Sequence, residues 1–292
     1  MRSLFQPNGW KGNISNMITG KVLFITGGTG SLGQEIVAQA LNLNPQAIRI
    51  FSRGEHSQML MRARFKDERL RFIIGDIRDY SRLYAVTEGA DYLIHTAALK
   101  QVETCEYNPQ EVLQTNIVGS INVVNVARER KIKHVLGISS DKAVAPLNLY
   151  GATKLAMERM FIEANRWAMP VTAFAILRSG NFLTSRGNVM EIWGYQAQIG
   201  KPLTVTSERM RRYFIETDKV AKLTLDLVVN MEAGCVYVPK MQEFRVTELL
   251  KRHFPDSKIK ILHSKSKSNK FREELFAHEE HPEDNGDYWV IR

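Results

Sequence analysis

The chain predicts an α/β fold, a doubly wound parallel sheet with a smaller C-terminal substrate-binding lobe. Three observations carry the prediction. Short apolar runs alternate with helical patterns up to about residue 180, the order of successive βαβ units. A glycine-rich turn joins the first run to the first helix. Polar or glycine-bearing motifs follow the later runs, at strand carboxyl ends, where open parallel sheets bind their ligands.

Residues 1–20 are polar, carry Pro7, Gly9 and Gly12, and read as an arm packed on the body or on a second subunit. Lys21–Thr26 reads as a short buried strand. Gly27-Gly-Thr-Gly-Ser-Leu-Gly33 follows, then a helical pattern from Gln34 to Leu43. The glycines let the backbone approach a pyrophosphate seated on the N–H groups of the helix start. Gly27, Thr29, Gly30, Ser31, Leu32 and Gly33 are therefore candidate cofactor-binding residues. Residues 21–180 are expected to form a Rossmann-like dinucleotide-binding domain. Ala47–Phe51 reads as the second strand, with Ser52 and Arg53 after it. An NAD site commonly places an acidic residue here, on the ribose 2′-hydroxyl. A hydroxyl and a guanidinium suit a 2′-phosphate instead. NADP is the expected cofactor, with NAD as the alternative because Glu55 stands close by.

Arg71–Ile74 reads as the third strand. Beyond it, Asp76, with Ile77 beside it, is placed to meet the adenine or to cap the next helix. The fourth strand, Tyr92–His95, ends in Thr96-Ala-Ala-Leu-Lys100, and the small Ala97 and Ala98 let a cofactor pass close to the sheet. A helical pattern spans Pro109 to Lys131 and carries Asn116, a structural tie that is compatible with a place near the site. After Val171–Leu177 and Arg178-Ser-Gly-Asn181 the alternation weakens. Lys201–Val205, Met210–Thr217, an amphipathic helix at Lys219–Met231 and Cys235–Val238 follow without a linker or an internal repeat. Residues 181–292 are read mainly as the lobe, with part of the chain able to return to the sheet.

A length of 292 residues suffices for one large domain, or one domain plus a lobe. Hydrophobic content of 44% and charged content of 24% are ordinary for a soluble globular protein. No apolar run approaches the roughly 20 residues that span a bilayer, and the N-terminal stretch has no secretory h-region. Cys105 and Cys235 match no metal spacing and suit a reducing cytoplasm. A cytoplasmic location, no membrane insertion and no metal are expected. The net charge of +9 would suit binding to nucleic acid or a membrane surface, or a basic surface that attracts an anionic small molecule. The basic residues are scattered, apart from a run between Lys258 and Arg272, and no aromatic-interleaved basic motif of the RNA-binding kind is present. Nucleic acid is therefore not an expected partner.

The richest stretch is Gly137 to Lys154. His134–Ile138 reads as a strand that ends in Ser139, Ser140, Asp141 and Lys142. Tyr150 and Lys154 follow at the start of a helix, one turn apart and so on one face. A neighbouring ammonium stabilises phenolate, so Lys154 is expected to lower the pKa of Tyr150. Such a tyrosine can take a proton from a sugar hydroxyl near neutral pH.

Taken together, these motifs resemble the extended short-chain dehydrogenase/reductases, and more narrowly the UDP-N-acetylglucosamine 4,6-dehydratases of bacterial glycan synthesis. The residues that carry the resemblance include Thr26 to Gly33, Phe51-Ser-Arg53, Ala97-Ala-Leu-Lys100 and Glu106-Tyr-Asn-Pro109. Ser140-Asp-Lys-Ala143, Asn148 to Lys154, Gly180-Asn181, Ser185-Arg-Gly187 and Glu273-Glu-Leu275 complete them. The resemblance implies that Tyr150 deprotonates the sugar 4-hydroxyl while hydride passes from C4 to the nicotinamide. Lys142 then removes the C5 hydrogen, Asp141 protonates the departing 6-hydroxyl, and hydride returns to C6. Ser140 would hydrogen-bond the 4-oxygen and Lys154 would hold the nicotinamide ribose. The substrate is expected to be a UDP-sugar, met by Lys100, Asn181, Arg186, Arg212, Lys265, Lys267 and Glu274. A homo-oligomer is expected, assembled through helices at 107–131 and 150–167. Two departures stand out: Ser179 replaces an aromatic residue, and Lys265-Ser-Lys-Ser-Asn-Lys270 replaces a segment whose arginine usually meets the diphosphate. A tyrosine at 150 leans towards inversion at C5. A nucleotide-sugar epimerase or reductase of the same superfamily is the alternative.

Overall fold

The structure, a computed structural model, describes residues 14–185, 187–262 and 270–292. Its strands are β1 Val22–Thr26, β2 Ala47–Ser52, β3 Leu70–Ile74, β4 Tyr92–His95, β5 His134–Ser140, β6 Ala173–Ser179 and β7 Asn181–Phe182. After these come β8 Leu203–Val205, β9 Arg211–Ile215, β10 Val236–Pro239, β11 Gln242–Arg245, β12 Ile259–Ile261, β13 Glu283–Asp284 and β14 Tyr288–Ile291. The helices of the first half are α1 Ile14–Ile18, α2 Ser31–Leu41, α3 Glu55–Phe65, α4 Tyr80–Val86, α5 Val102–Tyr107, α6 Pro109–Val112 and α7 Gly119–Glu129. Those of the second half are α8 Leu149–Ala168, α9 Val189–Gln198, α10 Thr217–Asn230 and α11 Val246–His253.

Nine strands form one sheet in the order β13-β14-β10-β6-β5-β4-β1-β2-β3. The pairs from β10 to β3 are parallel, and β14 and β13 close one edge antiparallel. The strand order reverses between β1 and β4, so a crevice opens at their carboxyl ends. Helices cover both faces, which is why the strands read as continuous apolar runs. Along β1, Leu23 and Ile25 enter the core on one face, while Val22 and Phe24 enter the core on the other.

Beyond residue 180 the chain serves two bodies. The β11-β9-β7 sheet and the β12-β8 pair, with α9 and α11, enclose a small core around Trp193, Phe214, Leu249 and Leu250. The Trp193 indole N–H donates to the Thr204 carbonyl at 2.9 Å, which locks α9 onto β8. Between these pieces α10 lies on the large sheet, its Val220, Ala221 and Leu225 in the same core as Ile36 and Val37 of α2. β10, β13 and β14 likewise lie in the large sheet. The helix expected over 109–131 differs in one respect: α6 and α7 are joined by a π-helical turn, Leu113–Val118. The extra residue in that turn leaves Thr115 and Asn116 buried.

Candidate active site

A cleft of about 1020 Å³ runs along the carboxyl ends of β1 to β6 and under the lobe. At one end lies the turn after β1. Gly27 has φ +67°, and a Cβ there would sit 2.7 Å from the Ala97 nitrogen. A Cβ on Gly33 would sit 2.6 Å from Gly28 Cα. The turn is therefore close-packed, with no room for a side chain at Gly27 or Gly33, and the start of α2 lies on the cleft, which fits a dinucleotide pyrophosphate. Thr29, Gly30, Ser31, Leu32, Ser52 and Ile77 line this part, as do Ala97 and Ala98.

Arg53 also lines it, half exposed, with its guanidinium 3.8 Å from Asp76. Asp76 accepts from the backbone and side chain of Arg78, at 3.0, 2.9 and 2.7 Å. Burial pushes the Asp76 carboxyl up, but the Arg78 hydrogen bonds and the Arg53 charge outweigh it and hold it below its ordinary range. Asn116 stands elsewhere than a cofactor-binding residue would. It is enclosed behind the wall, bonded to the Leu99 N–H and carbonyl at 2.8 and 2.9 Å and to the Thr153 hydroxyl at 3.0 Å. It ties the loop after β4 to α8.

The centre of the cleft holds Ser140, Lys142, Tyr150 and Lys154. Asn148 caps α8, its side-chain oxygen accepting from the Gly151 N–H at 2.8 Å. That start places Tyr150 and Lys154 on the face turned to β5. Lys154 is buried, and its ammonium donates to the Ile138 carbonyl at 2.6 Å. Burial lowers its pKa to about 8, with the Glu158 carboxylate opposing. The phenol of Tyr150 is raised rather than lowered, contrary to the expectation from Lys154. Burial is the main cause, the hydrogen bond with Ser140 opposes it, and the Asp141 carboxylate adds to it.

Residues 141–143 form a short 3-10 turn after β5. It brings the Lys142 ammonium to 3.1 Å from Asp141 Oδ1, with 15% of the Lys142 side chain exposed, on the cleft wall. The Ser140 hydroxyl donates to the same oxygen at 2.9 Å. Asp141 itself has no exposed surface, and its Oδ2 is buried with no partner. The carboxyl assigned to the departing hydroxyl thus reaches the cleft only through Ser140 and Lys142, which cover it.

At the far end, Lys100, Asn181 and Arg212 line the cleft. The Asn181 amide donates to the Tyr213 carbonyl at 3.1 Å, and Arg212 donates to the Lys270 carbonyl at 3.0 Å. Burial lowers the Arg212 pKa, with Glu273 and Asp141 opposing. Glu274 is exposed and lines a separate small pocket, not the main cleft. Its neighbour Glu273 turns inward instead, 3% exposed, to 3.9 Å from the Lys142 ammonium. The sequence showed the Glu-Glu pair but not which member faced in, because an irregular segment has no period. Arg186, Lys265 and Lys267 lie outside the described residues.

A dinucleotide-type turn, a Tyr-x-x-x-Lys helix and a lobe over the switch point define the class, the extended short-chain dehydrogenase/reductases. Residues 23–287 match the family described as polysaccharide biosynthesis protein, and the chain belongs to that family. It is similar to a UDP-N-acetylglucosamine 4,6-dehydratase (inverting) of Campylobacter jejuni, 39% identical over 84% of this chain and 75% of that protein. It is also similar to a UDP-glucose 4-epimerase of Rickettsia prowazekii, 38% identical over 80% of this chain and 70% of that one. The solved structure of Pen from Bacillus thuringiensis superposes with a TM-score of 0.90 at 34% identity, covering 94% of this chain and 90% of that chain. Among the described residues no helix is long and apolar enough to cross a membrane.

Proposed function

We propose that this chain is an NADP-dependent 4,6-dehydratase of UDP-N-acetylglucosamine, yielding a UDP-4-keto-6-deoxy sugar. The observation that carries the reading is the Lys142 ammonium, held on the cleft wall by Asp141 and neighbouring the Ser140–Tyr150 pair. An oxidation and reduction at C4 alone needs the tyrosine and its lysine. A lysine on the wall of the same cavity, backed by the buried Asp141 carboxyl, supplies what loss of water requires. A nicotinamide held at the glycine turn would supply the hydride transfer that links C4 to C6. Tyr150 takes the proton of the 4-hydroxyl, with Ser140 hydrogen-bonded to the same oxygen. The 4-keto group acidifies C5–H, and Lys142 acts as the base that removes the proton. The Lys142–Asp141 pair then passes a proton to the 6-oxygen, which leaves as water as the C5=C6 bond forms. C5 finally takes up a proton, equivalent in the balance to the one Tyr150 removed. Ser52 and Arg53 suit the 2′-phosphate of NADP.

Epimerisation of a UDP-sugar is the second reading, favoured by the fully covered Asp141 carboxyl. Incubation with UDP-N-acetylglucosamine and a mass spectrum of the product separates the two. Loss of one water is expected, and an unchanged mass would favour the epimerase. Lys142→Ala should abolish the dehydrated product while leaving NADP bound. Undiminished turnover in that variant would remove the elimination role from Lys142.

A further inference from the structure

Residues 270–280 form an irregular segment beside β9 and β6, and the fold pins it at both ends. At its start, the Arg211 N–H donates to the Phe271 carbonyl at 2.7 Å, and Arg212 donates to the Lys270 carbonyl. Further along, Arg178 of β6 donates to the Leu275 carbonyl at 2.9 Å and to both oxygens of Glu280 at 2.7 Å. The same guanidinium grips Glu158 of α8 at 3.0 and 2.7 Å. Glu158 lies one turn beyond Lys154, so the helix of Tyr150 and the segment share one buried clamp.

Between these anchors the segment carries Glu273 inward. Its carboxylate stands 3.9 Å from the Lys142 ammonium, 3.9 Å from the Arg212 guanidinium and 3.7 Å from the Lys270 ammonium. These spacings are longer than direct hydrogen bonds, so a closed ion pair with one partner is not the design. A nearly buried carboxylate set among three cations acts on all of them through a low-dielectric medium. Asp141 and Glu273 are the two carboxylates of the described residues that stand within ion-pair distance of Lys142.

We propose that Glu273 is a positioning residue, held by the Arg178-anchored segment, that keeps Lys142 aimed at the sugar and sets the proton affinity it works with. The proposal rests on the function reading for what Lys142 does, but not for where it is held. The charged or titratable groups around Lys142 are Asp141 at the end of β5, Tyr150 on α8, Arg212 on β9, and Glu273 and Lys270 on the segment. Removing the Glu273 charge leaves the Lys142 ammonium facing one carboxylate and two cations. Its protonated form is then disfavoured, so its titration moves to lower pH.

The test has two readouts on the NADP-loaded protein. In the first, Lys142 is followed by NMR of ¹³C-labelled lysine side chains, its signal identified by its loss in Lys142→Ala. The titration midpoint should fall in Glu273→Gln and stay near the wild-type value in Glu273→Asp. In the second, kcat with UDP-N-acetylglucosamine should fall about tenfold to a hundredfold in Glu273→Gln, with KM within about twofold, since small misplacements of a reacting group cost this much. The acid limb of kcat should move to lower pH in parallel. An unmoved Lys142 midpoint in Glu273→Gln overturns the proposal, as does a loss confined to KM. A moved midpoint in a protein that gives no dehydrated product would keep the positioning role and sink the function reading instead.

Discussion

Lys154 concentrates the energetics of the site in one side chain. It is 4% exposed, and burial holds its pKa at about 8 against an ordinary value of 10.5. Below about pH 8 both the folded and the unfolded chain carry the charge, and the folded one bears the desolvation cost. Between about 8 and 10.5 the folded chain releases its proton first, so stability rises with pH through that window. The expected outcome is that wild type gains melting temperature relative to Lys154→Met between pH 7.5 and about 9.5. A difference independent of pH would mean that the ammonium is not desolvated. The sequence placed Tyr150 and Lys154 on one face, because helical spacing alone decides that. It could not show that Lys154 is turned to the Ile138 carbonyl, nor that burial raises the phenol. Those depend on what lies behind α8. The choice between Glu273 and Glu274 failed for a related reason: side-chain direction in an irregular segment is set by its anchors.

Among the elements, strands β1 to β6 were legible because a strand covered on both faces is an apolar run, and each was found within a few residues of its expected span. The π-helical turn at 113–118 was not, since one extra residue in a turn leaves the apolar pattern almost unchanged. Nor could the pattern show that α10 packs on α2 rather than in the lobe, because amphipathicity marks a buried face but not its partner. The Arg178 clamp is the element-scale device that joins β6, α8 and the C-terminal segment. Hydrogen bonds that it donates to Glu280 and Glu158 more than offset the burial cost and hold the guanidinium above its ordinary pKa. Arg178→Met should leave two carboxylates facing each other and cost about 3–5 kcal/mol in urea denaturation. A loss under about 1 kcal/mol would show that the clamp adds little to the fold.

For the whole molecule, the account is that the large sheet holds the dinucleotide end, the lobe closes the sugar end, and the acid–base groups sit between them. That arrangement follows from strand order, since the switch point between β1 and β4 opens beside the end of β5. The central claim is that one sugar ring is oxidised at C4, dehydrated across C5–C6 and reduced at C6 without leaving this cleft. UDP-N-acetylglucosamine deuterated at C4 tests it most directly, with the product read by NMR. The account predicts loss of water and a deuterium in the new C6 methyl group. Deuterium retained at C4, with the 6-hydroxyl intact, would contradict it.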